Sequence, residues 1–183
     1  MLVGRCIPLI YPDLSSAPPE VQALEYVGAY SEGLVVRDGS YGAWALYRAK
    51  RPVVLGGRFG FGALGESEDA LILGGSFASS ALWMARNPVI LGGRLGEDAL
   101  IRAQGVKCFT DYIGSVAETL SGVIVARRIG SATSISPNTL IYCVEVGSGA
   151  EYCIKVKEED LELKVTAENL DEVISRLKSK YGP

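Results

Sequence analysis

The sequence has no histidine and lacks the cysteine spacing that metal sites use. Among its 183 residues, the four cysteines are Cys6, Cys108, Cys143 and Cys153, and no two of them form a CxxC motif. Without histidine there is no Ser-His or Cys-His pair and no histidine metal ligand. We therefore predict no catalytic residue, no metal site and no cofactor, and we interpret the cysteines as small buried apolar residues.

Long apolar runs and a strong net charge are also missing. No stretch has the length and hydrophobicity of a membrane-spanning helix, and the formal net charge is −3 with a pI near 5.1. Such a chain has no overall field that attracts nucleic acid or anionic lipid. We expect a cytoplasmic protein whose partner is another protein or a second copy, with neither nucleic acid nor membrane. The low content of amide side chains favours a thermophilic source.

The chain has instead a repeat of 18 residues. Its rows begin at Val35, Val53, Leu71, Val89 and Lys107 and align without an insertion to about residue 124. The eleventh position of every row is alanine: Ala45, Ala63, Ala81, Ala99 and Ala117. A segment of more than one row is also duplicated, because residues 38–60 match residues 74–96.

We interpret each row as one coil of a parallel β-solenoid, so that the fold class is mainly β with about five coils. Each coil would have three faces of about six residues, stacked on the coils above and below. The alanine column would mark a narrow interior corner. The residues predicted to point inward are Val53, Phe59, Leu71, Phe77, Trp83, Val89, Leu95 and Ile101.

An α/β fold with an open parallel sheet of short βα units is the alternative. Its strands would lie at 53–55 and 89–91, and its helices at 78–86 and 97–104. Eighteen residues leave little room for a strand, a helix and two loops, and this favours the solenoid.

The regions outside the repeat differ in composition. The predicted parts are 1–34 with an N-terminal strand and cap, 35–126 with the solenoid, 127–138 as a linker, and 139–183 as a small C-terminal α+β lobe. In this lobe we predict a hairpin around Gly147-Ser148-Gly149. A loop of three residues would place Cys143 opposite Cys153, and whether the two are bonded stays open.

The end of the chain predicts a strand and a helix. The strand would contain Leu161, Leu163 and Val165, and the helix would have Thr166 as its N-cap. One apolar stripe follows along this helix: Leu170, Val173, Ile174 and Leu177. Residues 182–183 would end it.

Two groups of residues are candidates for ligand binding. The segment from Gly60 to Gly65 has the G-x-G-x-x-G spacing of dinucleotide-binding loops, so Gly57, Gly60, Gly62 and Gly65 are the alternative cofactor-binding residues. No acidic residue follows about twenty positions on, and glycine-rich solenoid corners are the interpretation that we favour. Arg58 and Arg94 share a column and are candidates for an anion-binding edge.

Two motifs carry a resemblance to a known family. Tyr26-Val27-Gly28-Ala29 followed by Leu34-Val35-Val36, and Val53-Val54-Leu55-Gly56-Gly57, resemble the coil junction and turn of the GXGXG family. This right-handed β-helix occurs in one of the subunits of formylmethanofuran dehydrogenase and at the C-terminal end of the glutamate synthase large subunit. The coils also resemble the C-terminal β-helix of the division inhibitor MinC. The resemblance covers roughly residues 17–126 and implies an architectural role in a redox complex or, through the likeness to MinC, self-association.

The sequence therefore predicts a structural or interaction protein rather than an enzyme. A rigid solenoid scaffold subunit would dock other chains on its faces. The alternative is an α/β nucleotide- or phosphate-binding protein or enzyme that uses the loop from Gly56 to Gly65.

Overall fold

A parallel β-solenoid of about seven turns forms most of the computed structural model, which describes residues 11–161 and 164–182. The strands are β1 (Val35–Val36), β2 (Ser40–Tyr41), β3 (Val53–Val54), β4 (Arg58–Phe59), β5 (Leu71–Ile72), β6 (Ser76–Phe77), β7 (Val89–Ile90), β8 (Arg94–Leu95), β9 (Val106–Ala117), β10 (Gly122–Thr133), β11 (Thr139–Ser148) and β12 (Ile154–Lys155). The α-helices are α1 (Pro19–Gln22) and α2 (Leu170–Tyr181). Single turns of 3₁₀ helix lie at Leu14–Ser16, Ala150–Tyr152 and Glu158–Asp160.

Each of the early coils contributes two short strands to two parallel faces. One face has the order β1-β3-β5-β7-β9 and the other β2-β4-β6-β8-β9, and every partner up to β9 is 18 residues away. This confirms the mainly β class and the tandem repeat. The helices of the α/β alternative are wrong, because 78–86 and 97–104 consist mainly of turns with positive φ at residues such as Ser80 and Asp98.

The interior of the solenoid is a stack of apolar side chains from successive coils. Phe59, Phe77 and Leu95 point inward as predicted. The prediction was wrong by one residue on the other face, where Val54 and its equivalents are fully buried and Val53 and its equivalents are only half-buried. Adjacent residues of a strand point to opposite faces, so a shift of one residue exchanges inside and outside. Trp83 and Ile101 also lie half-buried rather than inside.

The third side of each coil is a turn and not the third strand-like face that the sequence predicted. In the coil of Trp44, Leu46 and Arg48, these three residues have φ of 57°, 60° and 53°. The Trp44 N–H donates to Phe61 O on the next coil at 2.8 Å, and the Leu46 N–H donates to Val27 O on the previous coil at 2.9 Å. Left-handed conformations cost about 1–2 kcal/mol per non-glycine residue. The alternating bonds offset this cost, because they connect each coil to both of its neighbours.

The period shortens after the fifth row begins. Gly122 pairs with Val106, which is 16 residues earlier, and the next strand is offset by 17. Ala99 accordingly pairs with Val116 and not with Ala117, so the placement of Ala117 in the alanine column was wrong. Val116 is fully buried, whereas Ala117 is half-buried.

The solenoid continues beyond the predicted linker. Residues 127–133 belong to β10, which pairs in parallel with both β9 and β11. The predicted hairpin is also wrong, since β11 and β12 are parallel, with Tyr142 opposite Ile154. After Gly149 the chain turns a corner through the 3₁₀ helix Ala150–Tyr152 and returns on the next coil. The division of the chain into domains stays a prediction.

Helix α2 packs on the outside of the last coils. Its apolar stripe of Leu170, Val173, Ile174 and Leu177 is buried, as predicted, and Gly182 ends it by donating to Lys178 O at 2.9 Å.

The N-cap of α2 is Asn169 and not Thr166, because residues 167–169 form a turn first. The Thr166 N–H donates instead to Asn169 Oδ1 at 2.8 Å. The core under the helix comes from the outer face of β10 and β11, including Val125 and Tyr142.

Two predictions fall on residues that the structure does not describe. The N-terminal strand over residues 2–11 lies almost entirely outside the described residues. The strand over 161–165 lies partly outside them, and Leu161 is in a turn. Among the residues that are described, neither helix is long and apolar enough to cross a membrane.

Candidate functional site

Aromatic side chains gather on the turn side of the first coils and form the candidate site. We call this surface the aromatic corner and define it as Tyr26, Tyr30, Trp44, Tyr47, Phe61 and Trp83. It contains both tryptophans of the chain. Apart from this surface, a second aromatic stack that includes Phe59 and Phe77 lies inside the solenoid.

The left-handed turn positions place these rings outside the coils. Tyr26 and Trp44 occupy equivalent positions 18 residues apart, with φ of 58° and 57°. The next equivalent is Gly62, with φ of 67°, and a Cβ there would lie 2.6 Å from Trp44 Cε3. The indole of Trp44 can therefore lie over the following coil only because position 62 has no side chain.

The rings contact one another in ordered geometries around Trp44. Tyr26 stacks with Trp44 at a centroid distance of 6.1 Å and an interplanar angle of 9°. Tyr47, Phe61 and Trp83 meet Trp44 edge to face, at 5.8, 5.4 and 6.4 Å. Such pairs each contribute about 0.5–1.5 kcal/mol beyond the burial of area. The corner is thus a pre-ordered surface rather than a set of independent side chains.

The outer rings of this cluster remain in contact with solvent. Tyr26, Tyr30 and Phe61 are 43%, 44% and 48% exposed. The interior rings of Phe59 and Phe77 are 4% and 3% exposed. A contiguous exposed apolar patch on a protein surface is typical of a binding site.

A charged cluster fixes one edge of the aromatic corner. The Tyr47 hydroxyl donates to Glu66 Oε1, and Arg48 Nη2 lies 2.6 Å from Glu66 Oε2. Partial burial opposes ionisation of Glu66, but these two donors outweigh it and lower the pKa of the carboxyl group. The hydrogen bond to Glu66 raises the pKa of the Tyr47 hydroxyl. Both groups therefore keep their neutral-pH charges, and the ring of Tyr47 is held in place.

The two arginines predicted as an anion-binding edge lie in one column but not side by side. Ser76 lies between Arg58 and Arg94, so the arginines are two coil spacings apart, about 9.6 Å. The Arg94 guanidinium lies over the ring of Tyr112, 5.0 Å from its centroid. The spacing is too wide for both arginines to hold one small anion, and the anion site stays a prediction.

The four glycines named as an alternative cofactor site lie where backbones and rings approach closely. A Cβ on Gly60 would lie 2.8 Å from Gly42 C, and one on Gly57 would lie 3.2 Å from the ring of Tyr41. A Cβ on Gly65 would lie 3.1 Å from Gly62 O. Packing between coils therefore accounts for these glycines, and a role in cofactor binding stays a prediction.

The cysteines are free thiols where the structure describes them. Cys108 and Cys143 are buried, which confirms the prediction for these two, and burial raises the pKa of Cys108. A hydrogen bond with the half-buried Cys153 lowers the pKa of Cys143 to about 7, and the same bond raises the pKa of Cys153. Cys6 lies outside the described residues. Within 11–161 and 164–182, the acidic residues and cysteines form no group of three that could hold a metal ion.

The sequence analysis did not identify the aromatic corner. A signal was present, because Tyr26 and Trp44 are 18 residues apart and Tyr30 and Tyr47 are 17 apart. Without the left-handed turns, however, the side chains of this segment cannot be assigned to the inside or the outside.

Comparisons with known proteins add nothing to this geometry: no family model, no curated protein and no solved structure matches the chain.

Proposed function

We propose that this chain is a non-catalytic scaffold protein that docks other chains through the aromatic corner. The observation that carries this proposal is the exposure of three ordered rings, Tyr26, Tyr30 and Phe61, at 43–48%. Tyrosine, tryptophan and arginine are enriched at the energetic centres of protein interfaces. Because the rings are fixed by stacking on one another, binding would cost little side-chain entropy.

The solenoid supports this role because it is stiff along its length. Consecutive coils are joined by hydrogen bonds on both strand faces and on the turn side. A surface on such a stack keeps its shape when a partner binds, as in other repeat proteins with extended binding faces.

We also propose that the coils belong to the GXGXG type and that the docked chain is part of a cytoplasmic redox complex. The support is the sequence resemblance of Val27-Gly28-Ala29 and of Val53-Val54-Leu55-Gly56. Under this proposal, the captured partner carries the flavin or iron–sulfur cofactor, since the scaffold has none of its own.

The test is affinity capture with three immobilised proteins from an extract of the source cells. These are the wild type, the corner variant Tyr26→Ser/Phe61→Ser, and the control Leu73→Ser. Leu73 is 43% exposed on the outside of another face and lies outside the aromatic corner. A chain retained by the wild type and the control but lost from the corner variant supports the proposal. Equal retention on all three proteins, or no retained chain, contradicts it.

A further inference from the structure

One column of the turn side carries an alternating order of charges. We call it the Met84 strip and define it as Tyr30, Arg48, Glu66, Met84, Arg102 and Glu118. These residues lie on six consecutive coils, all with φ between 48° and 60°, and each takes part in the coil-to-coil pattern of the turn side. Met84 is 40% exposed at the middle of the strip.

The charges of the strip form two pairs on either side of Met84. Arg48 Nη2 lies 2.6 Å from Glu66 Oε2, and Arg102 Nε lies 3.0 Å from Glu118 Oε2. Read along the solenoid, the order is Arg, Glu, Met, Arg, Glu, with one step per coil of about 4.8 Å. This order is antisymmetric about Met84: each position has the opposite charge at the same distance on the other side.

We propose that a second copy of this chain docks on the Met84 strip in antiparallel orientation, with a two-fold axis passing between the two Met84 side chains. The inference rests on the proposed function and deepens it by naming the partner. An in-plane axis across the solenoid reverses the order of the coils and keeps each column opposite itself. Arg48 then faces the partner's Glu118, and Glu66 faces the partner's Arg102.

The orientation follows from the charges. A two-fold axis along the solenoid would instead place Arg48 opposite the partner's Arg48 and Glu66 opposite the partner's Glu66. Apposed like charges disfavour a contact, whereas four apposed opposite charges steer the encounter and fix the register. Only the antiparallel arrangement pairs all four charges of each copy.

The neighbouring column is compatible with this contact. Its charged residues are Lys50, Glu68 and Arg86, and Arg86 would lie near the axis. The charge of Arg86 is compensated in its own chain, because Arg86 Nη1 lies 3.5 Å from Glu68 Oε1. Together with the strip, this column lines a shallow groove of about 330 Å³ that ends at the 41% exposed side chain of Leu120.

The size of the surface predicts a weak, reversible dimer. Six coils span five spacings of about 4.8 Å, which gives a contact about 24 Å long and a few columns wide. Such a contact belongs at the low end of specific interfaces. Association should therefore depend on protein concentration and should weaken in high salt, which screens exposed charges.

The experiment is sedimentation velocity over a concentration series with two half-swap variants. One half-swap is Arg102→Glu/Glu118→Arg and the other is Arg48→Glu/Glu66→Arg. Each keeps an opposite-charge pair within its own chain, but in a homodimer each would place like charges opposite one another. When the two half-swaps are mixed, all four facing positions carry opposite charges again.

We expect the wild type to approach twice the mass of one chain as its concentration rises. Each half-swap alone should remain monomeric, and the equimolar mixture should associate as the wild type does. Association of the mixture also shows that both variants are folded. A monomeric wild type, half-swaps that associate as strongly as the wild type, or a mixture that stays monomeric would overturn the proposal. The exposed rings of Tyr26 and Phe61 are unchanged in these variants, so the capture experiment decides the scaffold role separately.

Discussion

Replacing Gly62 with alanine should disrupt the aromatic corner from below. The position has a left-handed φ of 67°, and the added Cβ would lie 2.6, 2.7 and 2.9 Å from three ring atoms of Trp44. The left-handed conformation itself is tolerated there, because the equivalent residues Trp44 and Ser80 adopt it. We therefore separate a conformational cost of about 1 kcal/mol from a steric cost of about 1–3 kcal/mol for overpacking. The total should be about 2–4 kcal/mol.

Gly33 provides a matched control for this change. Its φ is 65°, and a Cβ there would meet nothing within 4 Å. Gly33→Ala should therefore show the conformational cost alone, about 1 kcal/mol. The measurement is urea unfolding of both variants, followed by circular dichroism and by tryptophan fluorescence. Because both tryptophans lie in the aromatic corner, the native emission spectrum should change in Gly62→Ala and stay that of the wild type in Gly33→Ala.

A double variant tests whether the indole ring is the cause. When Trp44→Ala is added to Gly62→Ala, the clash is removed, so the two substitutions should cost less together than the sum of their separate costs. Equal destabilisation by Gly62→Ala and Gly33→Ala, with unchanged tryptophan emission in both, would refute the claim that Gly62 makes room for Trp44.

Three further predictions concern the core and the thiols. Leu177→Ala should lower the free energy of unfolding by about 3 kcal/mol in urea titrations, because Leu177 of α2 is 1% exposed; a loss below about 1 kcal/mol would mean that the helix is not part of the core. Ala81→Leu should cost about 1–3 kcal/mol by the same assay, since the narrow interior has no room for a larger side chain, and a neutral or stabilising effect would contradict this. The pKa of Cys143 lies at about 7, below its ordinary value of 9.0, so stability should increase as the pH rises from about 7 to 9. In Cys153→Ala this dependence should be weaker, and an identical slope in both proteins would show that the thiol pair does not cause it.

The period of the sequence was sufficient to predict the fold class but not which residues point inward. Phe59 and Phe77 were assigned correctly because their neighbours are polar or glycine. Val53 and Val54 are both apolar, so no alternation distinguishes the inward side chain from the outward one. The outer face of this sheet is itself apolar, and part of it is covered by α2.

The turn side could not be predicted from residue types. Tryptophan, leucine and methionine rarely adopt a positive φ, yet Trp44, Leu46 and Met84 do so here. The conformation is imposed by hydrogen bonds to the coils above and below, which are long-range contacts that local propensity does not contain. The shortening of the period near Gly122 has the same character, because it follows from the pairing of long strands rather than from a turn motif.

The 18-residue offset also makes the height of this protein a quantity that changes in fixed steps. Removing or duplicating one row, for example residues 53–70, would leave the chain entering and leaving at the same points of the cross-section, one spacing of about 4.8 Å closer or farther apart. The match between residues 38–60 and 74–96 is what a past duplication of two rows would leave behind. Gene duplication can thus adjust the distance between two docked chains, as a ruler is lengthened by whole divisions, without redesigning either contact.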